Sequence, residues 1–139
     1  MTVIFENRSA FAGIQANGDG AFSTGWTDFN NDSFPDLWVS PHGYGSADPP
    51  KLYINQQNGT FTNISPQIFA SIPSGDTHGS SWVDFDNDGD KDATVIVGAR
   101  GGSGAAPSFL FVNQNGQLQN QAASLGVDFP EGRGRMPVW

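Results

Sequence analysis

Residues 84–92 read DFDNDGDKD, five carboxylates in nine positions. Carboxylates this close repel one another at neutral pH, so something must offset that repulsion. Residues 28–36 read DFNNDSFPD, with Asp again at the first, fifth and ninth places. Side-chain oxygens at places one, three, five and nine, with a backbone carbonyl at place seven, can wrap a hard cation, which takes about six to eight oxygens. In the second stretch these are Asp84, Asp86, Asp88 and Asp92, with the carbonyl of Asp90. In the first they are Asp28, Asn30, Asp32 and Asp36, with the carbonyl of Phe34. Gly89 at place six permits the sharp turn that such a loop needs.

The donor set favours calcium. Magnesium holds its waters and rarely accepts an all-protein cage, and zinc would want His or Cys. An EF-hand shares the early spacing but needs a bidentate Glu at the twelfth place and flanking helices. Here the twelfth places are Val39 and Val95. The first loop has Asn30 and Ser33 where the second has Asp86 and Gly89. Fewer charges and a stiffer turn predict weaker binding there, with the second loop in the range of roughly 10⁻⁵–10⁻³ M. The rival view makes both stretches Asx-rich turns that merely solvate a strand connection. It has to explain why the pattern occurs twice, each time directly after a Trp-bearing segment.

The rest of the chain is poor in charge. Net charge is −8 and pI about 4.2, and eight of the fourteen acidic residues lie in the two loops. Such a balance excludes a nucleic-acid partner, which needs clustered Lys and Arg, and disfavours an anionic membrane surface. With no cysteine there is no disulfide framework and no thiolate metal site. No apolar run has the length of a membrane span, so membrane insertion is not expected. The start, MTVIFENRSAF, lacks the basic and then apolar order of a signal peptide. Aromatic and β-branched residues come in short runs between Gly, Pro, Asn, Asp and Ser, which predicts many short strands.

The loops sit inside a longer repeat. Ser23–Val39 lies over Gly79–Val95 at an offset of 56, so that Trp26 meets Trp82 and Phe29 meets Phe85. Further on, LYINQQNGTF (52–61) resembles LFVNQNGQL (110–118), one residue shorter in the turn. A period of this size marks a repeat architecture in which one unit cannot bury its apolar face alone. Each unit reads as four antiparallel strands. The first ends at the Trp (23–26; 79–82) and the second follows the acidic loop (36–40; 92–98). The third (51–55; 108–113) and fourth (60–64; 117–120) form a hairpin across an Asn-Gly turn. The run ATVIV (93–97) is expected to be buried on both faces. Residues 3–7 and 12–14 resemble the fourth strand and exit of a unit, and 132–139 resembles a first strand, with Trp139 in the place of Trp26 and Trp82. The expected fold is therefore all-β, a β-propeller fragment: the tail of one blade (1–14), two complete four-stranded blades (20–70 and 76–127) and the first strand of another (132–139). Two blades leave open edges, so the chain is expected to be part of a longer one or to self-associate to close a ring.

The loops and their flanks resemble the calcium loop of FG-GAP/VCBS-type repeats, the blades of integrin alpha-chain-like propellers and of many bacterial secreted proteins. The preceding SSW and the following LYxN…NGTF fit the bacterial form. The resemblance covers nearly the whole chain. It implies a propeller with calcium held between the first two strands of a blade, at Asp28, Asn30, Asp32 and Asp36 and at Asp84, Asp86, Asp88 and Asp92. It also implies an extracellular or cell-surface place and a scaffold that binds a protein or glycan partner. Ser33 departs from the family's usual Gly.

Nothing in the sequence assembles a catalytic centre, so an enzyme is not expected. His42 and His78 read as polar loop histidines without a recognisable partner. GARGGSGAAP lacks the ending of a phosphate loop. Trp26, Trp82 and Trp139 read as packing between blades rather than sugar platforms. The sequons at Asn7, Asn31, Asn58 and Asn63 are short matches that need a eukaryotic secretory route. The loops 41–50 and 100–107 fall at equivalent places and bring His42, Tyr44 and Arg100 to one face, where a ligand surface would lie. The alternatives to a non-catalytic scaffold are a glycan-binding propeller and an accessory part of a polysaccharide-acting enzyme.

Overall fold

The computed structural model describes residues 3–15, 21–41, 49–69, 76–98, 107–131 and 134–139. It is all-β apart from one turn of helix, and contains two four-stranded antiparallel sheets, each a simple meander. The first sheet holds β1 (Ala21–Thr27), β2 (Asp36–Pro41), β3 (Lys51–Asn55) and β4 (Phe61–Asn63). The second holds β5 (Thr77–Val83), β6 (Asp92–Val97), β7 (Phe109–Gln114) and β8 (Gln117–Asn120).

The two sheets share one register. Trp26 pairs with Leu37 as Trp82 pairs with Ala93, and each first strand carries an irregularity near its start. The β7–β8 hairpin turns through Asn115 (φ 56°) and Gly116 (φ 83°), the two left-handed residues that a type I′ turn requires. The β3–β4 turn is longer, with Gln57 (φ 60°) and Gly59 (φ 85°) in the same region.

The core lies between the sheets. Phe29, Trp38 and Leu52 from the first meet Ala93, Val95, Phe111 and Leu118 from the second, with Ile68 and Phe69 filling the outer end. Trp38 is fully buried, 5.4 Å from the Trp82 ring and 6.2 Å from Phe69. Its indole N–H is satisfied by Ser40 Oγ at 2.9 Å. Truncating it to Ala should cost about 3–5 kcal/mol.

Several expectations change here. The run 93–97 is not buried on both faces: Ala93, Val95 and Val97 are buried, while Thr94 and Ile96 are half-buried. The far face lacks a second full sheet among the described residues, whereas β2 packs against β5, and residues 8–15 bond to Tyr53 of β3 and Phe61 of β4. The exit of the first sheet is a short helix, α1 (Ser65–Ile68). Pro66 lies in its first turn, where a missing N–H costs nothing. Ser65 Oγ accepts from Leu52 N–H at 2.7 Å and so fixes the helix to β3.

Contacts between the sheets recur beyond them. Phe29 meets Trp82 at 6.2 Å, and one repeat later Phe85 meets Trp139 at 6.2 Å. Ser23 Oγ donates to His78 O at 2.6 Å, and Gly79 N–H donates to Arg135 O at 2.9 Å. Phe61 N–H donates to Ala12 O, and Phe69 makes a parallel bridge to Leu118. Neither 3–7 nor 134–139 is a strand: each lacks a laterally paired neighbour among the described residues. No helix among the described residues is long and apolar enough to cross a membrane.

Candidate metal centre

Both acidic stretches are loops between the first and second strands of a sheet, and they fold by the same set of bonds. Asp28 accepts Asp32 N–H (3.0 Å) and Ser33 N–H (2.9 Å); Asp84 accepts Asp88 N–H (3.1 Å) and Gly89 N–H (3.0 Å). Asp32 accepts Phe34 N–H, and Asp88 accepts Asp90 N–H, each at 2.9 Å. The first and fifth carboxylates thus hold the turn that carries them, with their second lone pairs still available.

The ninth residue has a different task. Asp36 and Asp92 are fully buried. Asp36 accepts Phe29 N–H at 2.9 Å and Asn55 N–H at 2.8 Å; Asp92 accepts Phe85 N–H at 3.1 Å and Asn113 N–H at 2.8 Å. Each carboxylate closes its loop and ties it to the third strand of the same sheet. Burial raises both above the ordinary carboxylate range, and the backbone N–H groups partly counter this.

The structure brings Asp84, Asp86 and Asp88 together, with one oxygen of each within 4.8 Å of the others. Asp92 lies outside that trio. The Asp90 side chain turns away, accepting from Asn31 Nδ2 (3.3 Å) and Asn115 N–H (3.3 Å), which leaves only its carbonyl for the loop. Three converging carboxylates are an all-oxygen, anionic donor set, which suits a hard divalent cation. In the first loop Asn30 Nδ2 donates to Asp32 Oδ2 (3.1 Å), and Gln57 Nε2 reaches the same oxygen (3.3 Å). The Phe34 N–H, the Asn30 amide and the Gln57 amide hold Asp32 below the ordinary range.

The sixth place also separates the loops. Ser33 sits at φ 70° and Gly89 at φ 98°. A side chain in that region is strained, so the first loop carries a cost that the second avoids.

Other candidates fare differently. His78 is not a loop residue: it lies in β5, buried, with Nε2 3.3 Å from Asp76 Oδ2 and Nδ1 3.3 Å from Gly134 O. Its ring stacks on Phe22 at 4.1 Å. The strand begins two residues earlier than the sequence suggested, which draws His78 inside. Trp82 packs between the sheets as expected, but Trp26 and Trp139 remain 59% and 54% exposed. His42, Tyr44 and Arg100 lie outside the described residues. Sequence reasoning missed Asn55 and Asn113, though both close a LYxN or LFxN run, and missed Asn31, whose counterpart Asn87 sits at the same place of the other loop.

Residues 28–95 match the family model described as FG-GAP-like repeat, a span from the first residue of one loop to the strand after the other. No curated protein matches the chain.

Proposed function

Starting from an FG-GAP-like repeat over residues 28–95, we propose that this chain is a calcium-binding β-propeller module, a non-catalytic scaffold for interaction or adhesion at the cell surface or outside the cell. The observation that carries this reading is the convergence of Asp84, Asp86 and Asp88 within 4.8 Å in a loop whose remaining bonds are already satisfied. Asp92 and the Asp90 carbonyl would complete the set; in the first loop Asp28, Asn30, Asp32, Asp36 and the Phe34 carbonyl would do so. Calcium supplies positive charge where these oxygens converge. The chain's own part is to hold the oxygens in place beforehand: the Asp84 and Asp88 turn bonds set the curvature, and buried Asp92 anchors it to β7. Each loop leads directly into the second strand of its sheet, so ordering it extends order into the sheet. The partner is a protein or a glycan. The open sheet faces, with Trp26 exposed on one of them, are supplied by further blades of a longer chain or by other copies.

The test is thermal unfolding with calcium and with chelator. At a hundredfold excess over the dissociation constant each site adds about 2.7 kcal/mol, because the ion binds the folded loop and not the unfolded chain. A melting temperature indifferent to calcium in the intact protein would overturn the reading.

A further inference from the structure

The two acidic loops touch. Asn31, at the fourth place of the first loop, extends its side-chain amide across the gap between sheets. It donates to Gly89 O at 3.2 Å and to Asp90 Oδ1 at 3.3 Å. Gly89 and Asp90 are the sixth and seventh places of the second loop, where the turn is sharpest and the ligand carbonyl lies. Asn31 itself is held at φ 58°, between Asn30 and Asp32. Its backbone therefore cannot shift without moving two proposed ligands of its own loop.

We infer that Asn31 couples the two loops, so that a cation bound in either one raises the affinity of the other. The inference rests on the calcium reading above and concerns how that site is tuned. The physical basis is shared ordering. Fixing the first loop around its oxygens fixes Asn31, and the amide then holds the Gly89–Asp90 peptide in its bound shape before the second loop is filled. The second binding event has less chain left to order, and the effect is reciprocal by linkage. A bond to the carboxylate of Asp90 also keeps that charge out of the Asp84–Asp86–Asp88 trio, with Asn115 N–H holding its other oxygen at 3.3 Å. The coupling has a direction in the chain. Asn87 takes the same fourth place with φ 62°, but no partner for its side chain occurs among the described residues. Among the described residues the contact between the loops is thus made from the first loop's side.

The test is calcium titration of the whole chain by calorimetry, reading the dissociation constant of the second loop. In the otherwise unaltered protein, Asp32→Ala, which removes a first-loop ligand, should weaken the second loop about three- to tenfold, the range that one or two surface hydrogen bonds supply. Asn31→Gly keeps the left-handed backbone and removes only the amide; it should weaken the second loop by a similar factor. The decisive readout is the double variant: once Asn31 is Gly, adding Asp32→Ala should leave the second loop's constant where it was. Asn31→Asp, which fits the same backbone but cannot donate, should behave as Asn31→Gly or worse. An unchanged second-loop constant in Asn31→Gly, or two single effects that simply multiply, overturns the coupling while leaving calcium binding intact. No calcium heat in the unaltered protein overturns the calcium reading itself.

Discussion

The two acidic loops share their backbone bonds, their flanking strands and their buried ninth Asp, yet they differ at places three and six. In the second loop Asp86 completes a trio of carboxylates, and Gly89 takes the left-handed turn without cost. In the first, Asn30 donates to Asp32 instead of repelling it, and Ser33 is forced to φ 70°. One loop is strained in its charges and relaxed in its backbone; the other is the reverse. The cation-free chain should therefore hold the first loop in shape more easily, while the second should respond more strongly to an ion.

The largest effect should come from what the loops share. Asp36→Ala and Asp92→Ala each leave two backbone N–H groups buried without their carboxylate acceptor, a loss of about 2–5 kcal/mol. Equal losses in chelator, measured by denaturant unfolding, would confirm that the ninth Asp is structural in both loops. A much smaller loss at either position would break the equivalence. Next, Asp88→Ala should remove most of the roughly 2.7 kcal/mol that excess calcium adds at the second loop. Asp32→Ala should remove less, because the first loop has less charge to neutralise. Equal losses in the calcium-dependent melting shift would erase the ranking of the two loops.

A third comparison exchanges the sixth residues. Ser33→Gly should stabilise the chain by about 1 kcal/mol, the cost of a side chain in the left-handed region, and Gly89→Ser should destabilise it by as much. Unfolding in chelator isolates this term from ion binding.

The smallest effect concerns protons. Asp36 and Asp92 are raised above the ordinary value of 3.8 by burial. A raised folded value gives stability that is present below the unfolded value and lost as pH rises through the folded one. Asp32 is lowered, so its contribution is present above 3.8 and lost as pH falls below it. The chelated protein should therefore be most stable near pH 4 and lose stability above it, and Asp92→Asn should shrink that loss. Excess calcium should reverse the fall, since it favours the ionised ligands. A melting temperature in chelator that climbs steadily from pH 4 to 7 would contradict the assigned burial of these two carboxylates.

The loops and strands were legible in the sequence for a physical reason. Asp at places one, five and nine, repeated at an offset of 56, is a dense local pattern, and the Asn115-Gly116 turn carries its own conformational signature. What stayed hidden depends on neighbours distant in sequence. The burial of His78 depends on Asp76 and on Gly134, 56 residues away. The exposure of Trp26 against the enclosure of Trp82 reflects which sheet lies alongside, not the residue type. Four residues of α1 are too few to show a helical period. Asn31 looked like one more polar loop residue because its partners lie 58 and 59 residues on.

The bridge from Phe69 to Leu118, with its earlier counterpart from Ala12 to Phe61, has a practical corollary for anyone wishing to excise or shuffle these sheets. The stretch that leaves one sheet is stitched to the outer strand of the next, so the segment that can be cut out cleanly is out of phase with the segment that repeats. A boundary placed between Phe69 and Thr77 would strip the second sheet of Phe69, which sits 5.3 Å from Phe111. A graft of the second sheet should begin no later than Ser65, and one that starts at the first strand would arrive with its hydrophobic flank uncovered.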